Sequence, residues 1–352
     1  MSLCDLLTAR IASQGPITVA EYMAECLLHP QFGYYATRDP LGAQGDFVTA
    51  PEISQMFGEL IGLSLAQAWI DQGRPTPFTL AEAGPGRGTL MADLLRATRH
   101  VPGFPAAAQI ILIEASPTLR AIQKQTLHAH PVTWIDSTDA LPQQPLFLIA
   151  NEFFDALPIR QFQRDGAHWR ERQIGLADDK LTMGLGPAQA QPALEHRHTD
   201  TRDGDLVEDC AAAAPIINAI GTRIAQHGGA ALIIDYGDWR SLGDTLQALK
   251  SHEPTDPLAD PGEADLTAHV DFEAIALAAP CKYTRLTTQG VFLERLGITQ
   301  RAQALAANLS ADALDQLVQT HRRLTHPDEM GQLFKVLGLY PEGQTPPPGL
   351  DA

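Results

Sequence analysis

The stretch "LAEAGPGRGTLMADLLR", residues 80–96, constrains this chain more than any other. An apolar run reaches Glu82, then Gly84, Gly86 and Gly88 fall within five positions, and a helical periodicity begins. A strand, a tight glycine turn and a helix form the opening unit of a parallel sheet. Ligands bind at such a turn because glycine lets the backbone approach without a Cβ clash.

The sequence that follows repeats the alternation. "FTLAEAG", "QIILIEA", "VTWID" and "PLFLIANEFF" read as apolar strands, separated by the amphipathic segments "TLMADLLRATRHV" and "PTLRAIQKQTLHAH". Apolar strands interleaved with helices predict an α/β, doubly wound, mostly parallel sheet covered on both faces. Before it, residues 1–75 read as an N-terminal helical section. Thr18 and Glu21 form a capping-box pair there, and a long lid-like loop, "HPQFGYYATRDPLGAQGDFVTAPE", interrupts the helices. The α/β unit is expected over 76–340, with insertions near 159–208 and 239–300. In the first insertion, antiparallel strands turn at Asp165-Gly166. The stretch 239–264 reads as loop, a strong strand "GAALIIDYG" precedes it, and 341–352 reads as a flexible Pro-rich tail.

The glycine spacing selects the ligand. A dinucleotide fingerprint reads G-x-G-x-x-G, whereas here the order is Gly84-Pro85-Gly86-Arg87-Gly88, and no G-x-x-x-x-G-K-[ST] phosphate loop occurs. Glu82, two positions before the first glycine, sits badly beside a pyrophosphate and suits a ligand with a cationic end, such as S-adenosylmethionine. Glu114 ends the second strand, where an acidic residue can accept both ribose hydroxyls. Asp136 ends the third, near the expected adenine amino group. Asn151 and Glu152 end the fourth. These acidic and amide groups at four consecutive strand ends favour a methyl-donor site over a structural turn, with a dinucleotide site a distant second.

Composition narrows the partners. Lys and Arg total 25 against 42 Asp and Glu, a formal charge of −17. Such a surface repels phosphate backbones and anionic membranes and favours basic partners. No nucleic acid and no membrane span are expected: there is no basic stripe, and no apolar run reaches spanning length. Cys4, Cys26, Cys210 and Cys281 are scattered without metal-ligand spacing, so no metal is assigned. The N-terminus shows neither a basic leader with an apolar core nor an Arg- and Ser-rich transit segment. That predicts a cytoplasmic location.

Several blocks together carry a resemblance. "QGDFVTAPEISQMFGE", "EAGPGRGTLMADLLR", "ANEFFDALP", "LIIDYG", "ADLTAHVDF" and "MGQLFKVL" resemble, in order and from about residue 17 to 339, the MidA family of class I methyltransferases. The resemblance implies a seven-stranded methyltransferase sheet with S-adenosyl-L-methionine as donor. The family is similar in sequence to a mitochondrial arginine methyltransferase that assists assembly of respiratory complex I. A protein substrate with a target arginine, a complex I subunit or a similar protein, is therefore implied.

An arginine acceptor needs carboxylates that hold its charge through bidentate hydrogen bonds. Glu152 and Asp155, just after the fourth strand, are the candidate catalytic pair, and the resemblance adds His269 in "ADLTAHVDF". The donor-binding set is Glu82, Gly84, Gly86, Gly88, Glu114, Asp136 and Asn151. Asp46, Thr49, Pro51 and Glu52 of "GDFVTAPE" join it as a segment able to close over the donor. Asp235 and Tyr236 line the acceptor side or finish the sheet. The alternatives to protein arginine transfer are a small-molecule methyltransferase and a non-catalytic assembly chaperone that keeps the donor fold.

Overall fold

The computed structural model describes residues 2–37, 49–307 and 309–352. Six strands form its central sheet: β1 (Phe78–Ala83), β2 (Ala108–Ile113), β3 (Val132–Ile135), β4 (Leu146–Asn151), β5 (Gly229–Asp238) and β6 (Phe334–Tyr340). They lie in the order β6-β5-β4-β1-β2-β3. The first five are parallel, and β6 runs antiparallel to β5. Two-residue strands Lys282–Tyr283 and Thr287–Thr288 add to β6 and Val270–Asp271 adds to β5, giving nine strands. The α/β expectation holds as a class. The expected seven-stranded sheet is instead a nine-stranded mixed one, because strands of two residues are too short to leave a periodic signal.

The connections explain where the cleft lies. From β1 the chain moves to β2 and β3 on one side, then returns to β4 on the other side of β1. The carboxyl ends of β1 and β4 therefore border a topological switch point, where diverging connections leave a crevice.

The principal helices are α1 (Leu3–Gln14), α2 (Val19–Leu28), α3 (Gln55–Asp71), α4 (Thr89–Thr98), α5 (Pro117–Thr126) and α6 (Ala213–His227). Successive strand residues point to opposite faces. Leu80, Phe147, Ile149 and Leu232 pack beneath α3 and α4, whereas Ala81, Leu148, Ala231 and Ile233 pack beneath α6. Every residue of β1 and β4 is buried. Each large apolar side chain there contributes roughly 1.5–3 kcal/mol relative to exposure. A Cβ on Gly62 of α3 would lie 2.8 Å from Leu94 Cγ of α4, so glycine sets the close approach of these helices.

The N-terminal section shows the expected capping box, with Thr18 Oγ1 accepting the Glu21 N–H and the Glu21 carboxylate accepting the Thr18 N–H. The sequence 160–209 builds a separate antiparallel sheet, turned at Gly166 with φ +59°. Ile17–Thr18 pairs with its strand His168–Ala177 and so ties the N-terminus to this sheet.

Two expectations are corrected. The stretch 239–264 is not all loop: Gln247–Lys250 and Glu253–Thr255 form a three-stranded sheet with Asp265–Thr267. The Pro-rich tail is packed rather than free. Leu350 is buried, Ser64 Oγ donates to the Pro348 carbonyl, and Arg295 pairs with Asp351. No helix among the described residues is long and apolar enough to cross a membrane.

Candidate active site

The glycine turn leaves β1 with Gly84, Gly86 and Gly88 at φ of +63°, +53° and +81°, all in the left-handed region that side chains resist. Gly88 caps α4 without a side-chain hydrogen bond. A Cβ on Gly84 would stand 2.8 Å from Phe153 Cδ2, so the turn and the exit of β4 touch. Glu82, at the end of β1, is 3% exposed, and burial raises its carboxyl to about 8.

Glu114 follows β2. Its Oε1 accepts the Ser116 N–H at 2.7 Å and its Oε2 accepts Gln123 Nε2 at 3.1 Å, while burial raises its carboxyl. Gln123 of α5 is fully buried and also donates to the Gly86 carbonyl at 2.8 Å; its Oε1 accepts the Trp134 indole N–H at 2.8 Å. One amide thus fixes the carboxylate of the second strand relative to the glycine turn. Sequence reasoning passed over Gln123. The available signal was a polar residue four after Leu119 on the buried face of α5. Asp136, after β3, is largely exposed and pairs with Arg120.

At the exit of β4, Asn151 is buried and its Nδ2 donates to Glu152 Oε1 at 3.1 Å. Glu152 has φ +51°, uncommon for a residue with a side chain. Strained backbone of this kind concentrates at functional sites. Burial and the neighbouring Asp155 charge push its carboxyl up to about 7. Burial raises Asp155 to about 6, against the pull of the Tyr236 hydroxyl, which donates to it. Behind them lies Asp235 of β5, fully buried, accepting the N–H groups of Phe153, Phe154 and Asp155. Burial and the charges of Asp155 and Glu152 push its carboxyl up.

The N-terminal section closes over these strand ends. The Ala50 N–H donates to Glu152 Oε1 at 3.3 Å, and Thr89 Oγ1, at the start of α4, donates to Glu52. Thr49 stands at the start of the short helix Ala50–Ile53 but makes no side-chain cap. Tyr35 donates its hydroxyl to Asp265 at 2.9 Å, and its carbonyl accepts Ser116 Oγ at 3.0 Å. Asp46 lies outside the described residues.

These elements enclose a cleft of about 810 Å³. Its lining includes Thr49, Pro51, Glu52, Glu82, Gly84, Gly86, Glu114, Asp136, Asn151, Glu152 and Asp155, so the structure brings together eleven of the fourteen residues selected from sequence. Gly88 lies one step behind the wall, shaping the turn. His269 is the misplaced one. It lines a separate small cleft, sits edge-on to the Tyr236 ring at 5.5 Å, and has its pKa lowered by burial and by Lys335. The loop that carries it reaches the main cleft through Asp265 instead.

The lining chemistry fits a cationic ligand. Glu82 Oε2, Asn151 Oδ1 and Asp155 Oδ1 are buried without a hydrogen-bond partner among the described residues, and all three are acceptors. Arg87 is the one cationic side chain among the described lining residues, against seven carboxylates. A polyphosphate would be repelled there, while a sulfonium with an amino group would be held.

Comparison with known proteins agrees with this chemistry. Residues 60–291 match a family described as S-adenosyl-L-methionine-dependent methyltransferase. The chain is 39% identical to protein arginine methyltransferase NDUFAF7, mitochondrial, of Xenopus laevis, over 97% of this chain and 85% of that protein. The human protein of the same name is 38% identical over 95% and 82%. A crystal structure of a Burkholderia thailandensis protein bound to S-adenosyl-homocysteine superposes with a TM-score of 0.82 at 30% identity, covering 99% of this chain and 92% of that one. The cytoplasmic location expected from the N-terminus is overturned by the NDUFAF7 relatives, which are named as mitochondrial proteins. The physical content of the chain (fold, charge, cleft) does not encode a compartment.

Proposed function

Because the chain belongs to the family of S-adenosyl-L-methionine-dependent methyltransferases, we propose that it transfers the donor methyl to an arginine side chain of a protein substrate. The donor, when bound, supplies a methyl group already activated on a sulfonium sulfur. The protein's part is to align, to exclude water and to manage charge.

In this reading the glycine turn, residues 84–88, passes beneath the donor, and Glu114, oriented by Gln123 and Ser116, accepts its ribose hydroxyls. Asp136 and Asn151 flank its other groups, and Glu82 faces its cationic end. Thr49, Pro51 and Glu52 cover it from the N-terminal side, which makes residues 1–75 a lid-bearing section on a transferase unit over 76–340. Glu152 and Asp155 grip the guanidinium and orient one nitrogen toward the methyl. As that N–C bond forms and the C–S bond breaks, the nitrogen's proton passes to Glu152, whose raised pKa near 7 suits a base at neutral pH. An acceptor that is a respiratory complex I subunit rests on the MidA resemblance alone.

The observation that carries this reading is Glu152: a carboxylate on left-handed backbone at the switch point, beside the glycine turn. Arginine as acceptor is supported by that carboxylate group and by the name of the relatives that match nearly the whole chain. The test is incubation with methyl-labelled donor and a cell lysate, followed by hydrolysis and identification of the labelled product. Methylarginine is expected. Label on lysine or on a small molecule would overturn the arginine reading.

A further inference from the structure

We infer that Asp235 is the positioning residue that sets Glu152 and Asp155 for transfer. Its consequence for rate rests on the arginine-transfer reading above, whereas its cause rests on geometry alone. Asp235 is fully buried in β5. Its Oδ2 accepts three consecutive N–H groups, from Phe153 at 3.2 Å, Phe154 at 3.0 Å and Asp155 at 3.3 Å. Its Oδ1 accepts the Tyr236 N–H at 3.0 Å. In the parallel register Asn151 lies opposite Ile234, and the Glu152 N–H donates to the Ile234 carbonyl at 2.9 Å. The ladder therefore ends at Glu152, and the next three N–H groups have no strand partner. Asp235 is the next residue on β5 and takes all three.

This arrangement explains how Glu152 keeps its backbone. A non-glycine residue at φ +51° persists only where its surroundings over-determine it. The ladder bond precedes the turn and a single carboxylate gathers the N–H groups after it, so both ends are pinned. The same bonds aim the Asp155 side chain, whose Oδ1 has no partner among the described residues. Both Asp235 oxygens accept N–H donors, while burial pushes its carboxyl up. Asp235 in turn feels the charges of Asp155 and Glu152. The other groups facing this pair are the Tyr236 and Tyr35 hydroxyls at Asp155 and the Arg323 cation at Glu152. A plain core aspartate would stabilise the sheet without regard to Glu152. A positioning aspartate makes the geometry of the pair depend on itself.

The experiment uses the full chain with Asp235→Asn, which keeps the shape but replaces one acceptor oxygen by a donor. Four readouts are taken: amide hydrogen exchange by mass spectrometry, affinity for S-adenosylhomocysteine, thermal stability, and the rate of label transfer to arginine in a lysate. Exchange across residues 152–156 should rise while that of 84–88 stays as in wild type. Affinity should change by less than about threefold, below the loss of one hydrogen bond. Transfer should fall by about tenfold or more, the scale of a buried N–H left without its acceptor. Wild-type exchange and rate in a folded Asp235→Asn protein would overturn the inference, as would equal losses of donor affinity and transfer. Asp235→Ser, which keeps one acceptor oxygen, gives the same readouts if Asp235→Asn yields no soluble protein. A wild-type protein that labels no arginine defeats the transfer reading, while the exchange result still decides the role of Asp235.

Discussion

Glu152→Gln should separate stability from activity. In the folded protein the Glu152 carboxyl is raised from 4.5 to about 7, by burial first and by Asp155 second. A raised folded pKa means that the native state binds the proton more tightly than the unfolded chain does. The stabilising contribution is complete below about 4.5 and is lost as pH rises through about 7. Each pKa unit corresponds to about 1.4 kcal/mol, so the shift bounds the loss near 3 kcal/mol. Because Glu152 is only half-buried and glutamine must also be desolvated, about 1–2 kcal/mol is the expected gain for Glu152→Gln above pH 7. Glutamine keeps an acceptor oxygen for the Ala50 and Asn151 N–H groups, so no existing bond is forfeited. Denaturant unfolding of both proteins at pH 5 and pH 8 measures the difference, which should be large at pH 8 and small at pH 5. Methyl transfer should fall about 10²-fold as two charge-assisted bonds to the acceptor weaken. A stability difference that does not depend on pH would refute the reasoning, because it would mean that Glu152 titrates normally in the folded state.

The other expectations follow from the same geometry. Gly86→Val places a branched side chain at φ +53° in the cleft wall and should abolish S-adenosylmethionine binding in a protein that still folds, as calorimetry can check. Glu114→Ala should weaken donor binding about tenfold or more through two lost charge-assisted bonds, and Gln123→Leu should reproduce much of that loss by releasing the same carboxylate. The transfer rate of the wild type should decline as pH falls through about 7 and then 6, as Glu152 and Asp155 take up protons, a profile that single-turnover measurements resolve. His269→Ala should leave transfer within about twofold of wild type, because a side chain outside the cleft makes no bond to the reacting groups.

The chemistry was written locally, and so the sequence alone carried it. Gly84, Gly86 and Gly88 announce a turn with positive φ because no other residue adopts it at so little cost. Period-2 and period-3.6 patterns place Glu82, Glu114, Asp136 and Asn151 at strand ends, and parallel strands put their carboxyl ends on one edge. The fold class and most of the cleft wall follow from those two facts. What tertiary structure decided was which side chains meet across sequence distance. Asp235 lies 80 residues beyond Asp155, and only the adjacency of β4 and β5 turns it from a strand end into the acceptor of three N–H groups. Asp265 and His269 stand four residues apart in one segment, yet the strand Asp265–Thr267 sends the first into the main cleft and the second behind Tyr236. Periodicity records which face of an element is buried. It does not record which other element buries it, and the pairing of carboxylates that would hold a guanidinium depends on that second fact.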